Sequence, residues 1–199
     1  PIDVVCYEMT RDLTTSPDLH RKRGTGAARV QRPEYVDLRP PCNNACPAGE
    51  NVQAWLALAQ AGKDREAWLR ILDDNPFPAV HGRVCYHPCE TSCNRTVLDE
   101  AVSIHAVERV LGDRALAEGW RPEVPPPTGK RVLIVGAGPS GLSAAYHLRR
   151  LGHSVEIRDA GGLAGGMMHF GIPAYRLPRD VLAAEVQRIR RMGITIRQA

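Results

Sequence analysis

Hydrophobic residues recur at helical spacing in the first half of the chain and at strand spacing in the second. Behind a capping Asn51, Val52, Trp55, Leu56 and Ala59 share one helical face that ends near Gly62. Asp64 can cap a second helix whose stripe is Ala67, Trp68, Ile71 and Leu72, with Pro76 and Pro78 expected to stop it. A third helix is predicted over residues 101–111 from Ile104, Val107 and Leu111. Helices this short are not independently stable, so residues 41–120 read as a small all-helical domain held by something besides apolar packing.

A proline-rich stretch, residues 121–130, marks a linker, because Pro125, Pro126 and Pro127 favour extended geometry and donate no backbone hydrogen bonds. The pattern then changes to strand (131–135), helix (140–151), strand (154–158), helix (179–192) and strand (194–197). That order opens a parallel α/β sheet. The expected fold class is α + α/β: a helical domain followed by the N-terminal part of a Rossmann-like domain over residues 131–199. Residues 1–40 show no sustained periodicity, and the basic, glycine-containing run from His20 to Gly26 reads as an extended solvated arm. A last strand with no further sheet would leave backbone groups unpaired. With a start at Pro1 instead of Met, the expectation is a portion of a longer chain.

Composition narrows the class. With 43% hydrophobic and 24% charged residues, the chain can build a core. A net charge of +4 is too mild to suggest nucleic acid, and no apolar run reaches the ~20 residues that cross a bilayer. Nothing at the start resembles a signal peptide, so a soluble, cytoplasmic protein is expected. In a reducing compartment its six cysteines point to metal more than to disulfides.

Two motifs carry chemistry. The run Gly136-Ala137-Gly138-Pro139-Ser140-Gly141 lies between a strand and a helix. Its first glycine permits the turn, its second lets a pyrophosphate approach the backbone, and its third lets helix and strand pack. The phosphates would meet the helix N-terminus. Asp159 ends the second strand 18 residues after Gly141, where a carboxylate can accept from ribose hydroxyls. A second glycine stretch, with Gly165, Gly166 and Met167, follows. The motif alone leaves flavin and nicotinamide open.

The other motif is a thiol set: Cys42 and Cys46-Pro47, then Cys85, Cys89 and Cys93. Thiolates suit iron-sulfur clusters or zinc. Five thiols exceed one zinc site, and Cys-x3-Cys-Pro reproduces the end of a ferredoxin run, which favours iron-sulfur over zinc or buried structural cysteine. His87 could ligate or support a sulfur, but beside Pro88 it reads as structural. Cys6 stands apart and receives no role.

These residues, with Gly82-Arg83-Val84 and Gly171-Ile172-Pro173-Ala174-Tyr175-Arg176-Leu177-Pro178, resemble an iron-sulfur flavoprotein family. It includes the small subunit of NADPH-dependent glutamate synthase, the N-terminal part of dihydropyrimidine dehydrogenase and the large subunit of the bifurcating ferredoxin:NADP oxidoreductase. The resemblance covers about residues 41–199. It implies FAD at residues 136–141, with the isoalloxazine near Gly165, Gly166, Met167 and Ile172. It also implies a 4Fe-4S cluster held by Cys46, Cys85, Cys89 and the helical Glu108. The family's other cluster uses two cysteines upstream of Cys42, and residues 34–41 contain none. Cys42 and Cys93 match its remaining pair. One cluster is therefore favoured, with a second possible if Cys6 or a partner completes it.

The resemblance implies an electron-transfer subunit of an NAD(P)H-linked oxidoreductase. NAD(P)H would bind a part outside this sequence, and no residue reads as an acid-base or nucleophilic catalyst. Its partner would be a catalytic or ferredoxin-like subunit of a hetero-oligomer. Candidates are a glutamate synthase or, on the Asn43-Asn44-Ala45 and Tyr86-His87-Pro88 insertions, a 2-oxoacid oxidoreductase of the phenylglyoxylate dehydrogenase kind. The alternative from another class is a zinc-stabilised nucleotide-binding scaffold or sensor.

Overall fold

The computed structural model describes residues 39–199 in full and, at residues 2–6 and 33–37, the backbone of two strands. These are β1 (Ile2–Cys6) and β2 (Pro33–Asp37), paired antiparallel from Ile2 opposite Asp37 to Cys6 opposite Pro33. Strand pairing therefore occurs where only an arm was expected. The basic run 20–26 and the Cys6 side chain lie outside the described residues. Pro1–Pro40 forms one compact unit and Pro41–Ala199 another.

The second unit begins with short helices α1 (Pro41–Ala45), α2 (Val52–Gln60), α3 (Asp64–Ile71), α4 (Pro78–Val84) and α5 (Pro88–Thr91). A 3-10 turn, Asn94–Val97, leads to the long α6 (Ile104–Glu118). Asn51 caps α2 as expected, its side chain accepting from the Ala54 N–H at 3.1 Å. Asp64 lies inside the first turn of α3, where its charge favours the helix N-terminus, and Lys63 occupies the cap. Pro78 opens α4 instead of only stopping α3, because the first helical position needs no N–H partner. The third expected helix starts later and runs to Glu118, where Gly119 closes it at φ +67°.

The second half follows the expected order: β3 (Arg131–Val135), α7 (Pro139–Arg150), β4 (Ser154–Asp159), α8 (Met167–Phe170), α9 (Arg179–Arg190) and β5 (Thr195–Gln198). The three strands form a parallel sheet in the order β3-β4-β5. Register pairs Val132 with Val155, and Ile134 with Ile157, which in turn faces Ile196. That row lies against the helices, and Ile157 is fully buried. The alternate row, including Leu133 and Val135, is exposed, as the two-residue period of strands requires.

One apolar cluster runs through both halves of this unit, from Trp55, Trp68 and Leu72 to Tyr146, Leu182 and Ile189. The Tyr146 hydroxyl donates to the Leu72 carbonyl at 3.0 Å. Arg150 donates to the same carbonyl at 2.8 Å and pairs with Asp73 at 2.7 Å. No helix among the described residues is long and apolar enough to cross a membrane.

Candidate functional site

The glycine turn follows β3 directly. Gly136 has φ +99°, a conformation that disfavours side chains. A Cβ at Gly141 would lie 1.9 Å from the Gly136 carbonyl oxygen, so the third glycine is required by packing. A Cβ at Gly138 would meet nothing within 4 Å. That glycine leaves open space at the N-terminus of α7, where Gly138 is the cap and Pro139 the first helical residue. Ser140 follows in the first turn, whose unpaired N–H groups favour anions.

The second glycine stretch packs onto the first. Gly165 N–H donates to the Ala137 carbonyl at 2.8 Å, and a Cβ on Gly166 would lie 2.8 Å from the Gly138 Cα. Met167 starts α8 and is mostly exposed, whereas Ile172 is partly buried and its carbonyl accepts from Arg179 at 2.7 Å. Asp159 connects both turns: its carboxylate accepts from Ala137 N–H at 2.5 Å and Gly161 N–H at 2.7 Å. Those two donors hold its pKa below the ordinary value, Ala137 contributing most. The expected cofactor-binding residues therefore surround one loop, and all but Ile172 lie at or beside the glycine turns.

The cysteines flank short helices: Cys42 lies in α1, Cys46 follows it, Cys85 caps the end of α4, Cys89 lies in α5, and Cys93 precedes the 3-10 turn. All five are free thiols. Burial, then the neighbouring Cys46, Glu90 and Cys85, pushes the Cys89 thiol up to about 12. Burial also raises the Cys46 pKa, opposed by backbone N–H groups of Glu50, Ala48 and Gly49 aimed at its sulfur. Cys42 is raised by burial and, last among its causes, by Cys93. Cys89 thus has Cys46 and Cys85 as neighbours, and Cys42 has Cys93. Buried thiols of raised pKa are poor nucleophiles, and metal coordination is the chemistry that deprotonates them.

Among the described residues the group of three candidate metal-ligating side chains with donor atoms within 4.8 Å of one another is His87, Glu90 and His105.

Glu108 lies on α6, only 6% exposed, and accepts from the Asn75 amide at 2.7 Å. The same amide donates to Glu50 at 2.9 Å. Burial raises the Glu108 pKa well above the carboxylate range, and Glu50 raises it further. Glu50 is itself pushed up to about 7, chiefly by burial, against hydrogen bonds from Asn75 and Trp55. Sequence reading did not single out Glu50 or Asn75; their only signal was polarity beside apolar core positions. It also passed over Glu90, which accepts from His105 at both the backbone N–H (2.8 Å) and Nδ1 (2.7 Å) and so caps α6 from outside. His87 donates its backbone N–H to the Cys85 sulfur at 3.4 Å.

Residues 30–120 match the family model described as dihydropyrimidine dehydrogenase domain II, 4Fe-4S cluster. Residues 134–177 match the NAD(P)-binding Rossmann-like domain. The NADP(+)-dependent formate dehydrogenase subunit beta of Moorella thermoacetica is 37% identical over 87% of this chain and 28% of its own length. The glutamate synthase [NADPH] small chain of Bacillus subtilis is 39% identical over 76% of this chain and 31% of its own. The NADPH-Fe(3+) oxidoreductase subunit beta of Geobacter sulfurreducens is 39% identical over 85% of this chain and 26% of its own. The chain thus spans about a third or less of these relatives, and the resemblance read from its motifs is borne out.

Proposed function

We propose that this iron-sulfur and Rossmann-like chain is part of an electron-transfer subunit in an NAD(P)H-linked oxidoreductase. On this reading the glycine turn binds FAD, and the thiol set holds one 4Fe-4S cluster. Flavin supplies the conversion between the hydride of nicotinamide and the single electrons of iron-sulfur. NAD(P)H would bind beyond these residues, and a catalytic or ferredoxin-like subunit would exchange electrons with the complex.

One observation carries the reading. The element bearing Cys85 and the helix of the nucleotide-binding half are bonded to each other inside a single compact unit. Glu185 on α9 accepts from Ala79 N–H at 3.0 Å, and Arg188 donates to the Pro76 carbonyl. Electron transfer needs two cofactors held at a fixed separation, which a flexible linker alone would not give.

Each residue has a role on this reading. Gly138 leaves room for a pyrophosphate, and the first turn of α7 supplies N–H groups to it. Asp159 offers a carboxylate for a ribose while holding both glycine turns. Cys46, Cys85 and Cys89 supply thiolates, and the backbone N–H groups of residues 48–50 lower the charge density on the Cys46 sulfur. Glu108 is the fourth ligand when its carboxylate leaves Asn75.

The test is anaerobic purification of the full-length protein, with iron, sulfide and flavin counted per chain and the visible spectrum recorded. About four irons attributable to this domain and flavin absorption near ~450 nm are expected. A colourless protein with stoichiometric zinc overturns the reading and leaves a zinc-stabilised scaffold. For Glu108, a changed EPR signal or lower iron occupancy in Glu108→Ala supports ligation, and an unchanged spectrum refutes it.

A further inference from the structure

Between α4, α6 and the segment after Ile172 lies a cleft of about 220 Å³, lined among others by Arg83, His87, His105, Arg109, Tyr175 and Arg176. No cysteine lines it, although His87 in its wall donates its backbone N–H to the Cys85 sulfur at 3.4 Å. Three guanidinium groups and two imidazoles face it, and the nearby carboxylates are already in use. Asp113 binds Arg83 through two hydrogen bonds of 2.7 and 2.8 Å and reaches Arg109 only at 3.7 Å. Glu90 is engaged twice by His105. Arg176 has one long contact, 3.5 Å to the Val84 carbonyl.

Two polar atoms at this cleft are buried without a partner: Nε2 of His87 and Nε of Arg83, whose side chain is only 9% exposed. Buried polar groups are almost always hydrogen-bonded in native proteins, so an orphan is destabilising until it gains a partner. A ligand presenting several acceptor oxygens would pair with His87 and occupy Arg109 and Arg176, two arginines that carry no strong ion pair here.

A metal ion is the rival occupant, since donor atoms of His87, Glu90 and His105 lie within 4.8 Å of one another. Two observations count against it. The imidazoles stack face to face at 4.1 Å with 28° between planes, so their nitrogens do not converge on one point, and Nδ1 of His105 is held by Glu90. A divalent cation would also sit among three guanidiniums, where like-charge repulsion opposes it.

We propose that this cleft is an oxyanion site that takes a phosphate group, held by Arg109, Arg176 and the Nε2–H of His87. The ligand bridges α6 and the 171–178 segment, and so joins the helical and nucleotide-binding halves at a point away from the glycine turn. The site is independent of the redox reading, because it is detected by anion binding and not by electron transfer.

The experiment is calorimetric titration of the full-length holoprotein with inorganic phosphate and, separately, adenosine 2′-phosphate, in chloride buffer. Saturable binding of one anion per chain is expected, weakened at least about tenfold by Arg109→Gln and by Arg176→Gln. The melting temperature of these variants should stay near that of the parent, since Arg109 is 54% exposed and Arg176 lies at the surface. Arg191→Gln, just past the end of α9 and outside the cleft, should bind like the parent. Tighter binding of the nucleotide identifies a phosphomonoester as the ligand class, and equal or tighter binding of phosphate identifies the free anion. No saturable binding, equal weakening by Arg191→Gln, or Zn²⁺ binding that is lost in His105→Ala would overturn the site.

Discussion

Glu185 and Ala79, 106 positions apart, are joined by a 3.0 Å hydrogen bond in which the carboxylate accepts the backbone N–H near the start of α4. Glu185 is 1% exposed, and its other oxygen binds Arg188, itself 5% exposed. Arg188 lies over the Trp68 and Tyr146 rings, 5.7 and 6.0 Å from their centroids. A side chain of the nucleotide-binding half thus fixes the helix that ends at Cys85. The ion pair is valuable because each charge would be costly in the core without the other.

Removing one partner should therefore cost more than the pair contributes. Glu185→Ala leaves Arg188 buried without its carboxylate and the Ala79 N–H without an acceptor. Urea denaturation should report a loss of about 3–5 kcal/mol, and iron occupancy should fall because α4 positions Cys85. Glu185→Gln, which keeps an acceptor, should lose less. Equal stability of Glu185→Ala and the parent would refute this role.

The glycine turn offers a contrast between two neighbours. Gly141→Ala places a methyl group against the Gly136 carbonyl and should lower the melting temperature sharply, with flavin lost as a consequence. Gly138→Ala meets no protein atom, so its melting temperature should match that of the flavin-free parent while flavin content drops. Full flavin occupancy in Gly138→Ala would show that the open space at this glycine is not used by the cofactor.

Tyr146→Phe removes the hydroxyl that donates to the Leu72 carbonyl. That carbonyl keeps its bond from Arg150, so the change leaves no buried acceptor orphaned. The expected loss is about 0.5–1.5 kcal/mol, read by thermal or chemical denaturation. A loss several times larger would mean that the bond organises the whole seam between the halves.

Glu50 predicts a pH dependence. Burial raises its pKa from an ordinary 4.5 to about 7, so between those values it holds a proton when native and releases it when unfolded. The unfolded state then binds fewer protons, and stability falls as pH rises through this window and levels off above it. Denaturation midpoints between pH 5 and 8 should show the decline in the parent and a flatter profile in Glu50→Gln. The same slope in both proteins would assign the effect to another group.

Much of the outline was legible because local rules govern it. Strand, turn and helix at residues 131–150 follow from β-branched residues, glycines at fixed spacing and a proline at the first helical position. Asn51 was readable as a cap because its side chain needs only a neighbour three residues on. Pro78 was misread as a stop alone, since a proline that ends one helix also opens another, and the short α4 has too few residues to show a period.

The sequence by itself determined the chemistry available: which thiols, which glycines and which acid, in an order that fits a cluster domain followed by a nucleotide turn. Tertiary structure alone decided how those groups are held. Glu50, Asn75 and Glu108 lie 25 and 33 residues apart across two hydrogen bonds, and Arg83, Arg109 and Arg176 meet at one cleft from three elements. No local pattern encodes such meetings. Burial makes a carboxylate keep its proton and a carbonyl need its donor, and burial exists only once distant segments have packed.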